Sequence, residues 1–211
     1  MQRVGRAAAV RAAAAALCLA AVACSEPEGA PVELEPPQPA PELVGQGVDG
    51  RPFRLEQRRG RVVVLSFGYT SCPDVCPTTL SRLRGLQREL GARADEVAVV
   101  FLTVDPERDR PERLHSYLAA FEPRFQGAVV EEAQLPRTLE RFGVTAVRRI
   151  ADARRYRNLQ GAGGGEPPYS IDHTGGYLVI DRGGALRLRY PHQASAEQLA
   201  SGLRGLLDEQ A

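Results

Sequence analysis

Cys72 and Cys76, in the stretch Phe67-Gly-Tyr-Thr-Ser-Cys-Pro-Asp-Val-Cys-Pro77, are the side chains of this sequence best suited to chemistry. Paired soft thiolates serve two purposes, exchange with disulfides and binding of a soft metal such as Cu(I). A thiol reductase usually has two residues between its cysteines, whereas three separate Cys72 from Cys76. The longer loop leans toward a metal without excluding a disulfide. An apolar run, Val62 to Phe67, precedes the pair and reads as a buried strand, and Thr78 to Leu90 reads as a helix. With Cys76 opening that helix, the two thiols lie about one turn apart and point to one side. The helix N-terminus is then expected to lower their pKa values and raise the thiolate fraction.

Export sharpens the reading of the pair. Arg3, Arg6 and Arg11 precede an uncharged, Ala-rich run from Ala12 to Ala23. By length this is a signal-peptide apolar region, too short to span a bilayer. It ends Ala21-Val22-Ala23-Cys24, a small-residue cleavage site that also loosely resembles a bacterial lipobox, with Ala21 where Leu is usual. Both forms cut before Cys24, so residues 1–23 are assigned as a signal peptide of lipoprotein type. Cys24 is the expected lipidated N-terminus, holding the protein at the periplasmic face of the membrane. In an exported protein a cysteine pair is normally a structural disulfide. A Cys72–Cys76 bridge closes too short a loop to stabilise much, which favours a reactive or metal-binding pair.

Removing residues 1–23 takes three of 27 basic residues and no acidic ones, leaving 24 against 26, a net charge of about −2. There is no lysine and no basic stripe, so nucleic acid is excluded as a partner. The segment 24–42, with prolines at 27, 31, 36, 37, 39 and 41 between acidic residues, reads as a disordered linker. Fully extended, its 18 residues after Cys24 would reach roughly 55 Å, at ~3.1 Å each.

From residue 43 to 211 the pattern is that of one globular domain. A turn at Asp49-Gly50 leads to a short strand ending near Leu55, and strands at Val62–Phe67 and Val97–Val104 enclose the first helix as a βαβ unit. Asp109-Arg-Pro111-Glu112 reads as a second helix start with Asp109 as its cap, running to about Phe121, and a third helix covers Gln134 to Phe142. Ala146 to Tyr156 alternates loosely as a strand, followed by a Gly-rich loop, Asn158 to Pro168, without phosphate-loop spacing. Strands at Gly176–Asp181 and Ala185–Tyr190 flank the turn Arg182-Gly183-Gly184, and Ser195-Ala-Glu-Gln198 opens the last helix with a capping box. This order predicts an α/β, thioredoxin-like fold, a central mixed sheet flanked by helices. Its chemistry sits where a central strand meets a helix start.

Three pieces taken in order carry a family resemblance: the cysteine motif Phe67–Pro77, Val104-Asp-Pro-Glu-Arg-Asp-Arg-Pro-Glu-Arg-Leu114, and Ile171-Asp-His173-Thr174. Over about residues 43–208 the chain resembles the Sco/SenC family of copper-binding, thioredoxin-like proteins. The resemblance implies Cys72, Cys76 and His173 as copper ligands, for Cu(I) and also Cu(II). It further implies Cys72 and Cys76 as a redox-active pair able to close a Cys72–Cys76 disulfide. The implied function is that of an exported copper chaperone assisting assembly of the copper centre of cytochrome c oxidase, more metallochaperone than enzyme. The oxidase subunit bearing that centre is the implied partner. An exported dithiol meets oxidising conditions, which calls for a periplasmic thiol reductant. The Gly-rich stretch before His173 is longer than the family pattern. The alternative is a metal-independent thiol–disulfide oxidoreductase.

Other side chains have plainer readings. His115 and His192 read as surface or packing residues, and Asp74 as a turn residue rather than a tuner of the metal. Asp105 orders its loop or touches a partner, while Phe67 and Tyr69 pack beside the site and limit water. A closed zinc site would need a fourth ligand. A peroxide-reducing site would need a lone peroxidatic thiolate in a different setting.

Overall fold

Two strands without a charged residue organise the molecule: β4 (Val62–Gly68) and β5 (Val97–Thr103), every residue of which is buried. Their pleat sends alternate side chains to opposite faces. Val62 and Val64 of β4, with Val97, Val99 and Phe101 of β5, enter one core; Val63, Leu65 and Phe67, with Ala98, Val100 and Leu102, enter the other. A sheet covered on both faces needs such continuous apolar strands. Each fully buried Val or Leu contributes about 1.5–3 kcal/mol.

The computed structural model describes residues 28–150 and 169–209. In chain order β1 (Val32–Pro39), β2 (Val44–Gly47) and β3 (Pro52–Arg54) precede β4. Helix α1 (Val75–Leu90) links β4 to β5, and α2 (Pro111–Ala119) links β5 to β6 (Gln126–Val129). Then come α3 (Leu135–Arg141), β7 (Ala146–Ile150), β8 (Tyr169–His173), β9 (Tyr177–Ile180), β10 (Ala185–Tyr190) and α4 (Ala196–Asp208). Eight strands form one mixed sheet in the order β1-β10-β9-β4-β5-β6-β2-β3, with β7 and β8 paired apart from it. Leucines of α1, α2 and α4 fill one core, and α3 contributes Leu135 and Leu139 to the other. This is the thioredoxin-like arrangement expected, with the βαβ unit parallel in β4 and β5. The capping box of α4 forms as expected, Ser195 Oγ accepting from Gln198 N and Gln198 Oε1 from Ser195 N. Among the described residues no helix is long and apolar enough to cross a membrane.

Two expectations are corrected. Residues 32–39, expected as part of a disordered linker, form β1 and pair antiparallel with β10, with a register shift between Glu33 and Gln38. Pro36, Pro37 and Pro39 are tolerated because β1 is the sheet's edge, where a missing N–H removes no interior bond. The chain is held even earlier, since Gln198 Nε2 donates to the Glu28 carbonyl at 2.8 Å. Asp109 is not a helix cap: Arg110 holds the cap position of α2 and makes no side-chain cap bond. The Asp109 carboxylate turns inward instead. The signal segment 1–23, Cys24 and the Gly-rich loop 158–168 lie outside the described residues, as does the second half of the strand expected at 146–156.

Candidate metal centre

The site is built where β4 ends and α1 begins. Helix α1 starts at Val75, so Cys76 is its second residue and points back into the core at 1 % exposure. Cys72 lies one turn earlier in a partly exposed loop, its N–H donating to the Tyr69 carbonyl at 3.2 Å. Asp74 occupies the cap position of α1; its carbonyl accepts from Thr78 N and Oγ1, which fits the turn reading. Both cysteines are free thiols.

His173 comes from the far side of the chain, at the end of β8. Its Nε2 lies 3.7 Å from Cys76 Sγ, and the ligand atoms of Cys72, Cys76 and His173 all fall within 4.8 Å of one another. Nδ1 lies 3.0 Å from the Thr174 carbonyl. A carbonyl can only accept, so Nδ1 carries the proton and Nε2 turns a free lone pair toward the thiols. Burial lowers the pKa of His173, which keeps the ring neutral. Bonds of about 2.3 Å to sulfur and ~2.0 Å to nitrogen, as for a zinc-sized ion, place S and N about 3.7 Å apart in a trigonal plane. The observed Cys76–His173 separation matches that value, so the donor set fits a single soft ion.

The expected lowering of the thiol pKa values is reversed at Cys76. Burial pushes its thiol well above the ordinary range, and the neighbouring Cys72 adds to the shift. Loss of water around a buried sulfur outweighs the partial charge of the helix end. The pair therefore rests with a protonated thiol at Cys76.

Tyr69, 2 % exposed, stands edge-on to His173 with ring centroids 6.0 Å apart, and Phe67 packs against Phe142 at 5.8 Å. Tyr69 walls the site, as the sequence suggested, and Phe67 lies in the same buried cluster as Cys76. Gly68 does something the sequence did not announce. A Cβ there would lie 2.7 Å from Cys76 Sγ and 2.7 Å from Phe101 Cζ, so only glycine lets the sulfur approach the end of β4.

Asp109 is the functional residue that sequence reasoning missed. Fully buried, it accepts from Thr70 N at 2.8 Å, Thr70 Oγ1 at 2.6 Å and Thr103 Oγ1 at 2.7 Å. It thereby ties the loop that carries Cys72 to the end of β5. Arg113 braces the same loop from outside, donating to Thr70 Oγ1 and Ser71 Oγ. The threonines at 70 and 103 were the only local hint of so many donors. Asp105 is buried too and orders its own loop, accepting from Arg108 and Tyr169. His115 is exposed on α2, and the His192 carbonyl accepts from Arg82. Neither joins the cluster of Cys72, Cys76 and His173.

Comparison with known proteins agrees with this geometry. A family model described as SCO1/SenC matches residues 42–208. The SCO2-like protein of Rickettsia felis is 30 % identical over 164 residues, covering 78 % of this chain and 74 % of that protein. The copper-bound structure of Bradyrhizobium japonicum ScoI superposes with a TM-score of 0.67 at 28 % identity, covering 79 % of this chain and 98 % of that one. Apo Sco1 from Thermus thermophilus gives a TM-score of 0.70 at 32 % identity, covering 87 % and 99 %. The chain belongs to the SCO1/SenC family.

Proposed function

We propose that this protein is a copper carrier for assembly of the copper centre of cytochrome c oxidase, with Cys72, Cys76 and His173 as its ligands. The observation that carries this reading is the convergence of two free thiols and one neutral, correctly turned imidazole nitrogen within 4.8 Å. Two thiolates and an imidazole suit Cu(I), and Cu(II) is held when a further ligand joins. Exchange with an oxidising disulfide would close a Cys72–Cys76 disulfide, the incoming disulfide leaving as two thiols with the two electrons and two protons, and would remove both sulfur ligands. A periplasmic dithiol reductant would return those electrons by exchange. The oxidase subunit bearing the copper centre is the proposed recipient. Cys24, lipidated, is the proposed anchor at the periplasmic face of the membrane, and the mass of the native N-terminus reads that modification directly.

The metal-free oxidoreductase reading is weaker because it gives no part to the His173 nitrogen that stands 3.7 Å from Cys76 Sγ, whereas a soft metal uses all three donors. The experiment is anaerobic Cu(I) titration of the reduced protein between pH 6 and 8, against a competing chelator. Copper must displace the Cys76 proton, so apparent affinity should rise about tenfold per pH unit for each proton released. One ion per chain is expected, and none after disulfide formation. A flat pH profile, or full binding to the oxidised protein, would refute the assignment.

Gly68→Ala is the companion test of position. The added methyl meets Cys76 Sγ on one side and the buried ring of Phe101 on the other. Overpacking should cost about 1–3 kcal/mol in equilibrium unfolding. The displaced sulfur should lower Cu(I) affinity by roughly 10–100-fold, the range seen when ligand orientation is disturbed. Unchanged affinity in a folded Gly68→Ala protein would show that the strand end does not set the sulfur position.

A further inference from the structure

His173 stands apart from its partners in one respect. The cysteines are placed by β4 and α1, whereas His173 rides on β8, which pairs with β7 outside the eight-stranded sheet. Something else must fix where the imidazole points. At the His173 end, Thr174 N donates to the Thr145 carbonyl, and Thr174 Oγ1 accepts from Thr145 N. These bonds join β8 to the start of β7, so they move with the hairpin.

The hold on the rest of the molecule lies along the strand. Tyr169, Ile171 and His173 alternate onto one face of β8. Tyr169 Oη donates to Asp105 Oδ1 at 2.8 Å. Arg108 donates from Nε to Asp105 Oδ2 at 2.5 Å and from Nη1 to the Tyr169 carbonyl at 3.1 Å, and its guanidinium stacks 3.7 Å from the Tyr169 ring centroid. Arg148 of β7 stacks on the same ring at 3.9 Å and pairs with Glu107. Midway along, Ile171 N donates to Tyr69 Oη at 3.2 Å, so the residue that faces the His173 ring also holds its strand. Asp105 is anchored in turn, its N–H donating to Thr103 Oγ1.

We infer that Tyr169, Asp105 and Arg108 form a latch that positions His173, and that closure of this latch governs how well the site holds Cu(II) relative to Cu(I). The inference rests on the copper reading given above. Two soft thiolates by themselves satisfy Cu(I), which accepts low coordination numbers; Cu(II) depends on nitrogen donors. Freeing the hairpin withdraws the imidazole and leaves the sulfurs in place. Affinity for Cu(II) then falls much more than affinity for Cu(I). The latch residues touch no metal and act only by positioning.

Tyr169→Phe tests this with the smallest change, since it keeps the ring between its guanidinium neighbours and removes only the hydroxyl, with its bond to Asp105 and its longer contact of 3.3 Å to Glu107. In the reduced, metal-free protein, amide hydrogen exchange across Tyr169–His173 should accelerate about tenfold, with α1 and β4 unchanged. Cu(II) affinity should fall about tenfold and the thiolate-to-copper absorption band should shift, while Cu(I) affinity stays within about threefold. Arg108→Lys, which keeps the charge on Asp105 but loses the fork to the Tyr169 carbonyl, carries the same expectation and serves if Tyr169→Phe does not fold. Unchanged exchange overturns the latch, and so do equal losses of Cu(I) and Cu(II) affinity, which would mean a general loss of structure. Failure of the wild-type protein to bind copper would instead overturn the copper reading, and hydrogen exchange would still report on the latch.

Discussion

Cys76→Ser is expected to abolish tight Cu(I) binding, with an affinity loss of more than about 100-fold, beyond what disturbing an outer partner costs. A serine hydroxyl is a hard donor and a poor ligand for Cu(I). It would also sit in the apolar pocket that burial gives Cys76, without the room to turn toward another partner. His173→Ala should cost Cu(I) binding far less, because both thiolates remain. The ordering of the two variants in one competition titration is the sharp part of the expectation. A Cys76→Ser protein within about threefold of wild type would remove Cys76 from the ligand set.

Asp109→Ala should be the most damaging substitution that touches no ligand. It strands three donors, of which the Thr103 hydroxyl is fully buried and the Thr70 groups are only partly so. Each unsatisfied buried group costs about 1–3 kcal/mol, and Thr70 can recover some of its bonds from water, so a net loss of roughly 2–4 kcal/mol follows. For a domain of this size that lowers the melting temperature by roughly 8 °C. The freed loop carries Cys72, so Cu(I) affinity should fall as well, by about tenfold. Asp109→Asn keeps one acceptor and should lie between wild type and alanine in both measurements. Equal stability of wild type and Asp109→Ala in thermal unfolding would rule out the clamp.

What could be read in the sequence was local. The uncharged run at β4, the cysteine spacing and the helix after it form one unbroken segment, and the structure keeps them together. His173 was legible only through its resemblance to a known pattern, since 97 residues separate it from Cys76. Asp109 shows the limit most clearly. An acidic residue two before a proline is the ordinary signature of a helix start, and nothing in that tripeptide distinguishes a solvated cap from a carboxylate aimed at Thr70 and Thr103 across the sheet end. The thiol pKa failed for a related reason. A helix N-terminus is visible in sequence, but the burial that overrides it depends on how β4, Phe101 and Gly68 close around the sulfur. In residues 32–39, proline content masked an edge strand, because a composition rule does not know which edge of a sheet is free.

That edge strand changes what an N-terminal anchor could accomplish. With residues 24–42 loose, a lipid at Cys24 would let the domain roam across a neighbourhood roughly 55 Å in radius. With Glu28 already held by Gln198 and Val32 already paired to Arg189, only residues 25–27 stand between Cys24 and the folded body. Three residues at ~3.1 Å each reach roughly 10 Å. A lipid on so short a stem would act as a hinge pin rather than a leash. The bilayer would then keep the folded body close to its surface, and delivery would depend on the recipient diffusing to the carrier.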